Sequence, residues 1–499
     1  MTEALTQRPS DYVGGRFIGI PGDSVQSRNP AAPDSVVWSG SPRLEHVNQA
    51  VEAARAALPA WSALPMDQRI EHLRCWQQAV TKHAERLAGL ITDEMGKILS
   101  ESRFEARALA DKVDITLSEP SISRVRQYQV QAAPSRLGLC RFKPHGVMTV
   151  IGPFNFPAHL PNGHFVPALL MGNTIVCKPS DKTPATGQLM AELMHEAGLP
   201  PGVFNVVQGG ANIASSLVMH DDIDGILFTG SWPVGRRILE ANLDRPGRII
   251  ALEMGGNNAA VVMPSANLRQ AVLECLRAGF ATSGQRCTCT RRIILHRTVA
   301  DRFIAAFCKA ASTILVGPGR ATEPVFMGPV VSEQAAMAVL QFQHDLARRG
   351  GQVLVESTRM SRPGWFVTPG VVRVERFTLD HDQEVFGPLV QIAVVNDLDE
   401  AIGQTNASRY GLAASIFTAD DGEYERFFHA ARAGCINRNT GTAGASSKLP
   451  FGGLGRSGNH RPAGAFSVDY CAYPVANMVE TSTDAAPPTG MLWDDRWVL

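Results

Sequence analysis

Residues 147–178 read VMTVIGPFNFPAHLPNGHFVPALLMGNTIVCK, and their pattern decides the fold class. Val147–Ile151 and Asn173–Lys178 are short apolar runs flanked by Gly, Pro or Asn, as expected of strands buried on both faces. Further along, Phe204–Val207, Gly225–Phe228 and Ile249–Leu252 repeat the pattern, separated by helical stretches such as Thr183–Ala197 and Val234–Asn242. Strands alternating with helices predict a doubly wound α/β unit whose ligands lie beyond the carboxyl ends of parallel strands. Functional residues are therefore expected just after strands. Upstream, roughly the first 120 residues show helical periodicity, as in LEHVNQAVEAARAALPAWSAL from Leu44. Downstream, Ala259 to Asn437 alternates again: strand AAVVM, helix Leu268–Phe280, strand IILH, and strands around VQIAVV and GCIN. This predicts a second α/β domain. The tail from Tyr470 reads as a docking strand followed by a loose Pro-rich end, Asp484–Thr489.

Composition narrows the function class. The 499 residues are 44% apolar and 19% charged, with 47 basic residues balancing 47 acidic ones. No global field draws the chain to nucleic acid or an anionic membrane, so small molecules are the expected partners. The longest mid-chain apolar run, FVPALLMG from Phe165, is far short of the roughly 20 residues that span a bilayer. MTEALTQRPSDYVGG lacks the basic and apolar regions of a secretory signal, and a cytoplasmic protein is expected. Nine cysteines without paired spacing suit reduced thiols. Cys287 and Cys289 are close, but no second pair completes a zinc pattern, and no metal is expected.

Four segments at strand ends carry candidate chemistry. In GPFNFP, Asn155 sits in a stiff loop that either aims an amide at an oxyanion or caps a turn. In CKPSDKTP, Lys178 and Asp181 either bind ribose hydroxyls, with the carboxylate repelling a 2′-phosphate and favouring NAD over NADP, or cap the next helix. In FTGSWPVG, Gly230, Ser231 and Gly235 surround a helix start suited to a pyrophosphate, or form an ordinary tight turn. Glu253 in ALEMGG and Cys287 in GQRCTC have the residue types of a general base and a nucleophile, with Arg286 as the adjacent cation. GLGRSG, with Gly453, Gly455 and Gly458, matches a dinucleotide fingerprint by spacing only. No apolar strand precedes it, and it is read as a close-packed loop.

Together and in this order, NFP, KPSD, FTGS, LEMGG, GQRC, EVFGP and FGG resemble the aldehyde dehydrogenase family over nearly the whole chain. The resemblance implies that fold: two doubly wound α/β domains plus a small oligomerisation hairpin. It implies an NAD-binding domain at 1–125 and 145–255, a catalytic domain at 256–440, and oligomerisation segments at 126–144 and 465–490 of a homodimer or homotetramer. It also implies roles. Cys287 forms a thiohemiacetal whose oxyanion the Asn155 side chain and the Cys287 amide hold, and Glu253 activates the water that hydrolyses the ensuing thioester. Glu384 holds the nicotinamide ribose, Lys178 and Asp181 the adenosine ribose. Gly230, Ser231, Trp232, Pro233, Val234 and Gly235 lie against the pyrophosphate.

Phe154 stands where the family usually has Trp, and Asp181 where NAD-specific members often carry Glu. GPFNFPAHLPNGHFVPAL, LEMGGNN, GQRCTCTRR and SGNHRPAGAFSVDYCAYP resemble one branch of the family, the N-succinylglutamate 5-semialdehyde dehydrogenases of arginine catabolism. Such a substrate carries several carboxylates, and Arg286, His159, His164, Arg438 and His460 are the candidate donors. Other acidic semialdehydes, and a thiol esterase activity, are the alternatives. CoA acylation fits poorly, because such relatives lack the water-activating Glu that Glu253 supplies.

Overall fold

The computed structural model describes residues 5–498. Its first sheet has seven strands, in the order Ile249–Met254, Gly225–Gly230, Val147–Ile151, Thr174–Lys178, Phe204–Val206, Ser10–Val13 and Arg16–Gly19. The five strands from Ile249–Met254 to Phe204–Val206 are parallel, and the two N-terminal strands add antiparallel at the edge. Central strands such as Val147–Ile151 and Thr174–Lys178 are buried along their whole length. Helices cover both faces, which is why these strands read as unbroken apolar runs.

The chain proceeds outward from Val147 through Thr174 to Phe204, then returns to the other side with Gly225 and Ile249. The order reverses between the Val147 and Gly225 strands, the place where doubly wound sheets bind ligands beyond the carboxyl ends of their strands. Asn155 follows one of these strands and Gly230 ends the other.

A second seven-stranded sheet runs Gln352–Val355, Gly370–Arg373, Leu389–Val395, Thr290–His296, Asn258–Val262, Ala413–Phe417 and Cys435–Arg438, parallel except at its first strand. A third sheet pairs Ala472–Glu480 with the hairpin Tyr128–Ala133 and Arg136–Pro144. The chain is thus mixed α/β with two large sheets.

The N-terminal helical expectation needs correction. Helices occupy Glu45–Ala63, Met66–Lys82, Ala84–Met95 and Leu99–Leu117, but the preceding residues form four short strands. Gly14 (φ 58°) and Gly15 (φ 82°) make a two-residue left-handed turn between Ser10–Val13 and Arg16–Gly19. Only glycine enters this turn freely, and it matches the twist of a hairpin. Gly-Gly between SDYV and RFIG was the available sequence signal.

Among the described residues no helix is long and apolar enough to cross a membrane, and no group of three or more His, Cys, Asp or Glu is placed to hold a metal.

Candidate active site

Cys287 lies in the loop between helix Leu268–Phe280 and strand Thr290–His296, and its carbonyls are tied down one by one. Asn258 Nδ2 donates to Cys287 O and Cys289 O, each at 2.8 Å, while its Oδ1 accepts the Ala413 amide. Arg291 donates to Arg286 O at 3.1 Å, and Thr442 Oγ1 to Thr288 O at 2.7 Å. Gly256 packs under the loop: a Cβ there would stand 2.9 Å from Cys287 O. Gly256 and Asn258 follow directly from the strand that bears Glu253, so the candidate base and nucleophile share one support.

Asn155 is buried, and its Nδ2 donates to Gln285 O at 3.0 Å, two residues before the thiol. A side-chain amide has two N–H donors, so this bond orients the group and leaves the second hydrogen for a ligand. The Asn155 loop is itself held from below. Lys97 Nζ donates to Asn155 O and to Glu105 Oε2, each at 2.7 Å, and Glu105 Oε1 accepts the Ala158 and His159 amides. Both members of this ion pair are fully buried.

Glu253 is buried at the carboxyl end of its strand, and its Oε2 has no hydrogen-bond partner. Burial pushes its carboxyl well above the usual range, and the Ala463 amide only partly offsets this. The GLGRSG loop proves to be the clamp on this strand. Asn459 accepts from Leu252 N at 3.0 Å and donates to Ile250 O at 2.8 Å, Ser457 Oγ donates to Gly255 O at 2.6 Å, and Gly458 forms a bridge with Glu253. A Cβ on Gly453 would meet Ser457 at 2.3 Å, so the loop is close-packed as expected.

Glu384 completes the cluster. Its Oε1 accepts the Gly256 amide at 2.9 Å, and burial raises its carboxyl to about 7 against the opposing pull of Arg291. Burial also pushes the Cys287 thiol up, and the Glu384 and Glu253 carboxylates add to the effect. Its surroundings thus disfavour the thiolate. Arg286 does not relieve this: its guanidinium turns to Glu101 (2.8 Å) and lies 5.4 Å over the Phe156 ring.

At the carboxyl ends of the first sheet, Lys178 Nζ donates to Pro179 O and Gly209 O at 2.8 and 3.0 Å, leaving one ammonium hydrogen. Burial lowers its pKa, which Asp181 opposes. Asp181 is exposed beside Gly210. Ser231 precedes the helix Trp232–Glu240 with extended backbone and no side-chain cap; Pro233 has no N–H and the Val234 and Gly235 amides donate back to Ser231 O at 3.1 and 3.0 Å, so the Trp232 amide is the one the helix start leaves for a ligand. Pro233 sits in the first turn, Val234 is exposed, and Trp232 carries Arg456 at 5.5 Å. Gly235 lets the helix approach its strand: a Cβ there would fall 2.3 Å from Met254 Sδ.

The remaining expected cations behave differently from one another. His164 is buried between Tyr470 OH (2.9 Å) and Thr229 Oγ1 (3.0 Å), and burial lowers it to about 3, so it is neutral and spoken for. Arg438 pairs with Asp421 at 2.6 Å beside the Tyr424 ring. His460 is exposed, in a left-handed turn with φ 59°. His159 is close to Phe156, with its Nδ1 buried and unpartnered. Lys97 and Glu105 carried no motif that would have singled them out, and Asn258 closes the LEMGGNN segment without any sign there of its role; what each does depends on which distant loop it reaches.

A half-buried thiol, an orphaned carboxylate and a pinned amide thus lie beside the strand-order reversal of a doubly wound sheet. The aldehyde dehydrogenase family model matches residues 20–474, and the chain belongs to that family. It is 42% identical over 453 residues to an N-succinylglutamate 5-semialdehyde dehydrogenase of Novosphingobium aromaticivorans, covering 91% of this chain and 95% of that one. Among solved structures it resembles an aldehyde dehydrogenase of Brucella melitensis (29% identity, TM-score 0.89, 96% and 99% covered). It also resembles a Staphylococcus aureus betaine aldehyde dehydrogenase variant solved with NAD+ (26%, 0.89, 97% and 98%).

Proposed function

We propose that this aldehyde dehydrogenase oxidises N-succinyl-L-glutamate 5-semialdehyde to N-succinyl-L-glutamate with NAD, using Cys287 as nucleophile and Glu253 as base. The observation that carries it is that Asn155 is bonded to the Cys287 loop at Gln285 O while Glu253, clamped by Gly458, lies near enough to Cys287 to raise its thiol. Cys287 attacks the aldehyde carbon, and the free hydrogen of Asn155 Nδ2, with the Cys287 amide, stabilises the oxyanion of the thiohemiacetal. NAD, when bound, supplies the hydride acceptor and a positive nicotinamide that favours the thiolate. Glu253 then takes a proton from the water that cleaves the thioester and frees the acid.

The residues present suit that cofactor. Lys178 keeps an ammonium hydrogen for a ribose hydroxyl, Asp181 offers a carboxylate that disfavours a 2′-phosphate, and the helix start at Ser231 to Gly235 offers the Trp232 amide and the positive end of its dipole to a pyrophosphate. Glu384 holds the nicotinamide ribose. The N-terminal sheet with its helices (1–125 and 145–255) forms the NAD-binding domain and 256–440 the catalytic domain.

The substrate rests on the likeness to the Novosphingobium enzyme and on the donors beside Phe156. His159 Nδ1 is without a partner, and Arg286 presents its guanidinium on the same ring. Residues 126–144 and 465–490, with Tyr128, Val130 and Met478 exposed, form the contacts of a cytoplasmic homodimer or homotetramer.

The test is NADH formation with N-succinylglutamate semialdehyde alongside glutamate and succinate semialdehydes, repeated with Cys287→Ala. A strong preference for the succinylated compound, abolished by the substitution, is expected. Activity on the smaller aldehydes alone would reject the substrate but keep the chemistry.

A further inference from the structure

Thr282, Ser283 and Gly284, immediately before Gln285–Arg286–Cys287, all adopt left-handed backbone, with φ of 55°, 56° and 70°. The first two are L residues with side chains, and Thr is β-branched, so this conformation is disfavoured on its own account. Both are buried. Something outside the loop must hold it.

Ser283 Oγ donates to Gly328 O at 2.8 Å, and a single carboxylate oxygen gathers the rest. Glu101 Oε1 accepts Thr282 N at 3.0 Å, Thr282 Oγ1 at 3.0 Å and an Arg286 guanidinium nitrogen at 2.8 Å. Arg286 Nε closes the ring by donating to Thr282 Oγ1 at 2.8 Å. Glu101 belongs to the first turn of helix Leu99–Leu117, an element remote in sequence from the thiol loop. At the far side of the turn, a Cβ on Gly284 would stand 2.1 Å from Gly387 O, so the turn is also wedged against the segment that bears Glu384.

We propose that Glu101 is a positioning residue for Cys287, acting through the left-handed turn it secures. The inference rests on Cys287 being the nucleophile. With the carboxylate present, the strained turn is the stable one and the thiol is aimed between Asn155 and Glu253. Without it, residues 282 and 283 relax toward ordinary backbone, and Cys287 swings out of register with both.

The test reads the thiol directly, by the rate of Cys287 alkylation with iodoacetamide in the full-length protein, followed by peptide mass spectrometry. Glu101→Ala is expected to change that rate at least about tenfold and to lower kcat with little change in KM for NAD. Adding Ser283→Gly to that variant should recover part of the loss, because glycine enters the left-handed region freely while giving up the Ser283 bond to Gly328 O. Glu101→Gln, which keeps an acceptor for Thr282 N but loses the charge facing Arg286, should fall between, and it serves if Glu101→Ala does not fold. An alkylation rate and kcat within twofold of wild type in a folded Glu101 variant would overturn the proposal, as would a loss that Ser283→Gly leaves untouched. Full dehydrogenase activity in Cys287→Ala would instead reject the nucleophile assignment, and the alkylation result would still report on the turn.

Discussion

Glu384 lies against Gly255 so closely that a Cβ at the glycine would stand 1.7 Å from its Oε2. The carboxylate is seated in a notch that exists only because residue 255 lacks a side chain. Gly255→Ala should expel Glu384, and with it the ribose contact assigned to that residue. We expect NAD binding, measured by titration of intrinsic fluorescence, to weaken, and kcat/KM to fall by about 100-fold, the scale of a misplacement near 1 Å. An unchanged Kd for NAD in a folded variant would remove Glu384 from the cofactor site.

The pH dependence of the rate follows from two groups shifted the same way. Burial raises both the Glu253 carboxyl and the Cys287 thiol, and each acts only after losing its proton. Activity should therefore climb from neutral to alkaline pH. In Glu253→Gln, the single-turnover burst of NADH should keep its pH rise while thioester hydrolysis becomes slow and flat with pH. A burst that also flattens would mean that Glu253, not the thiol, controls the first step.

Lys97 and Glu105 are an ion pair with no solvent exposure, and Lys97 also holds Asn155 O. Breaking such a pair leaves a buried charge, which costs about 3–5 kcal/mol. Lys97→Ala should show this as a lower unfolding midpoint in urea. Because the Asn155 loop loses its support, acylation should slow more than NAD binding weakens. A midpoint equal to wild type would show that the pair is dispensable.

Asp181 is exposed, so its influence on a 2′-phosphate is screened and modest. Asp181→Ser should raise kcat/KM for NADP relative to NAD by about fivefold, the effect of one unit charge near 4 Å in water. No change in that ratio would place cofactor selection elsewhere.

His164 is held neutral, its pKa lowered by burial to about 3 from an ordinary 6.5. A depressed folded value means the unfolded chain takes up the proton first, so stability is intact above pH 6.5 and is lost progressively as pH falls from there toward 3. The upper bound is about 5 kcal/mol from this one ring. The thermal midpoint of His164→Gln should fall less steeply than that of wild type between pH 6.5 and 4. Parallel curves would assign acid sensitivity to other groups.

The parallel strands and the residues at their ends were legible because a strand buried on both faces must be apolar throughout, as Val147–Ile151 and Thr174–Lys178 are. Positions just beyond them face a crevice whatever the details, and this placed Asn155, Lys178, Gly230 and Glu253 on one side of the molecule before any coordinates. The N-terminal strands escaped because two are four-residue strands at the edge of the first sheet, and the other two, Val25–Asn29 and Ala32–Gly40, pair only with each other and are mostly unburied, so none carries a buried apolar run. Side-chain direction escaped for a different reason. Arg286 adjoins Cys287 in sequence, yet the left-handed turn at Thr282 to Gly284 and the carboxylate of Glu101 direct it away from the thiol. His164 offered a donor by residue type, but Tyr470 and Thr229 occupy both its ring nitrogens. Periodicity and residue type are local properties and determined the sheet and the inventory of reactive groups. Which charges remain available depends on partners more than 60 residues away in the chain, as His164 to Thr229 and Arg286 to Glu101 show, and only the packed tertiary structure brings those together.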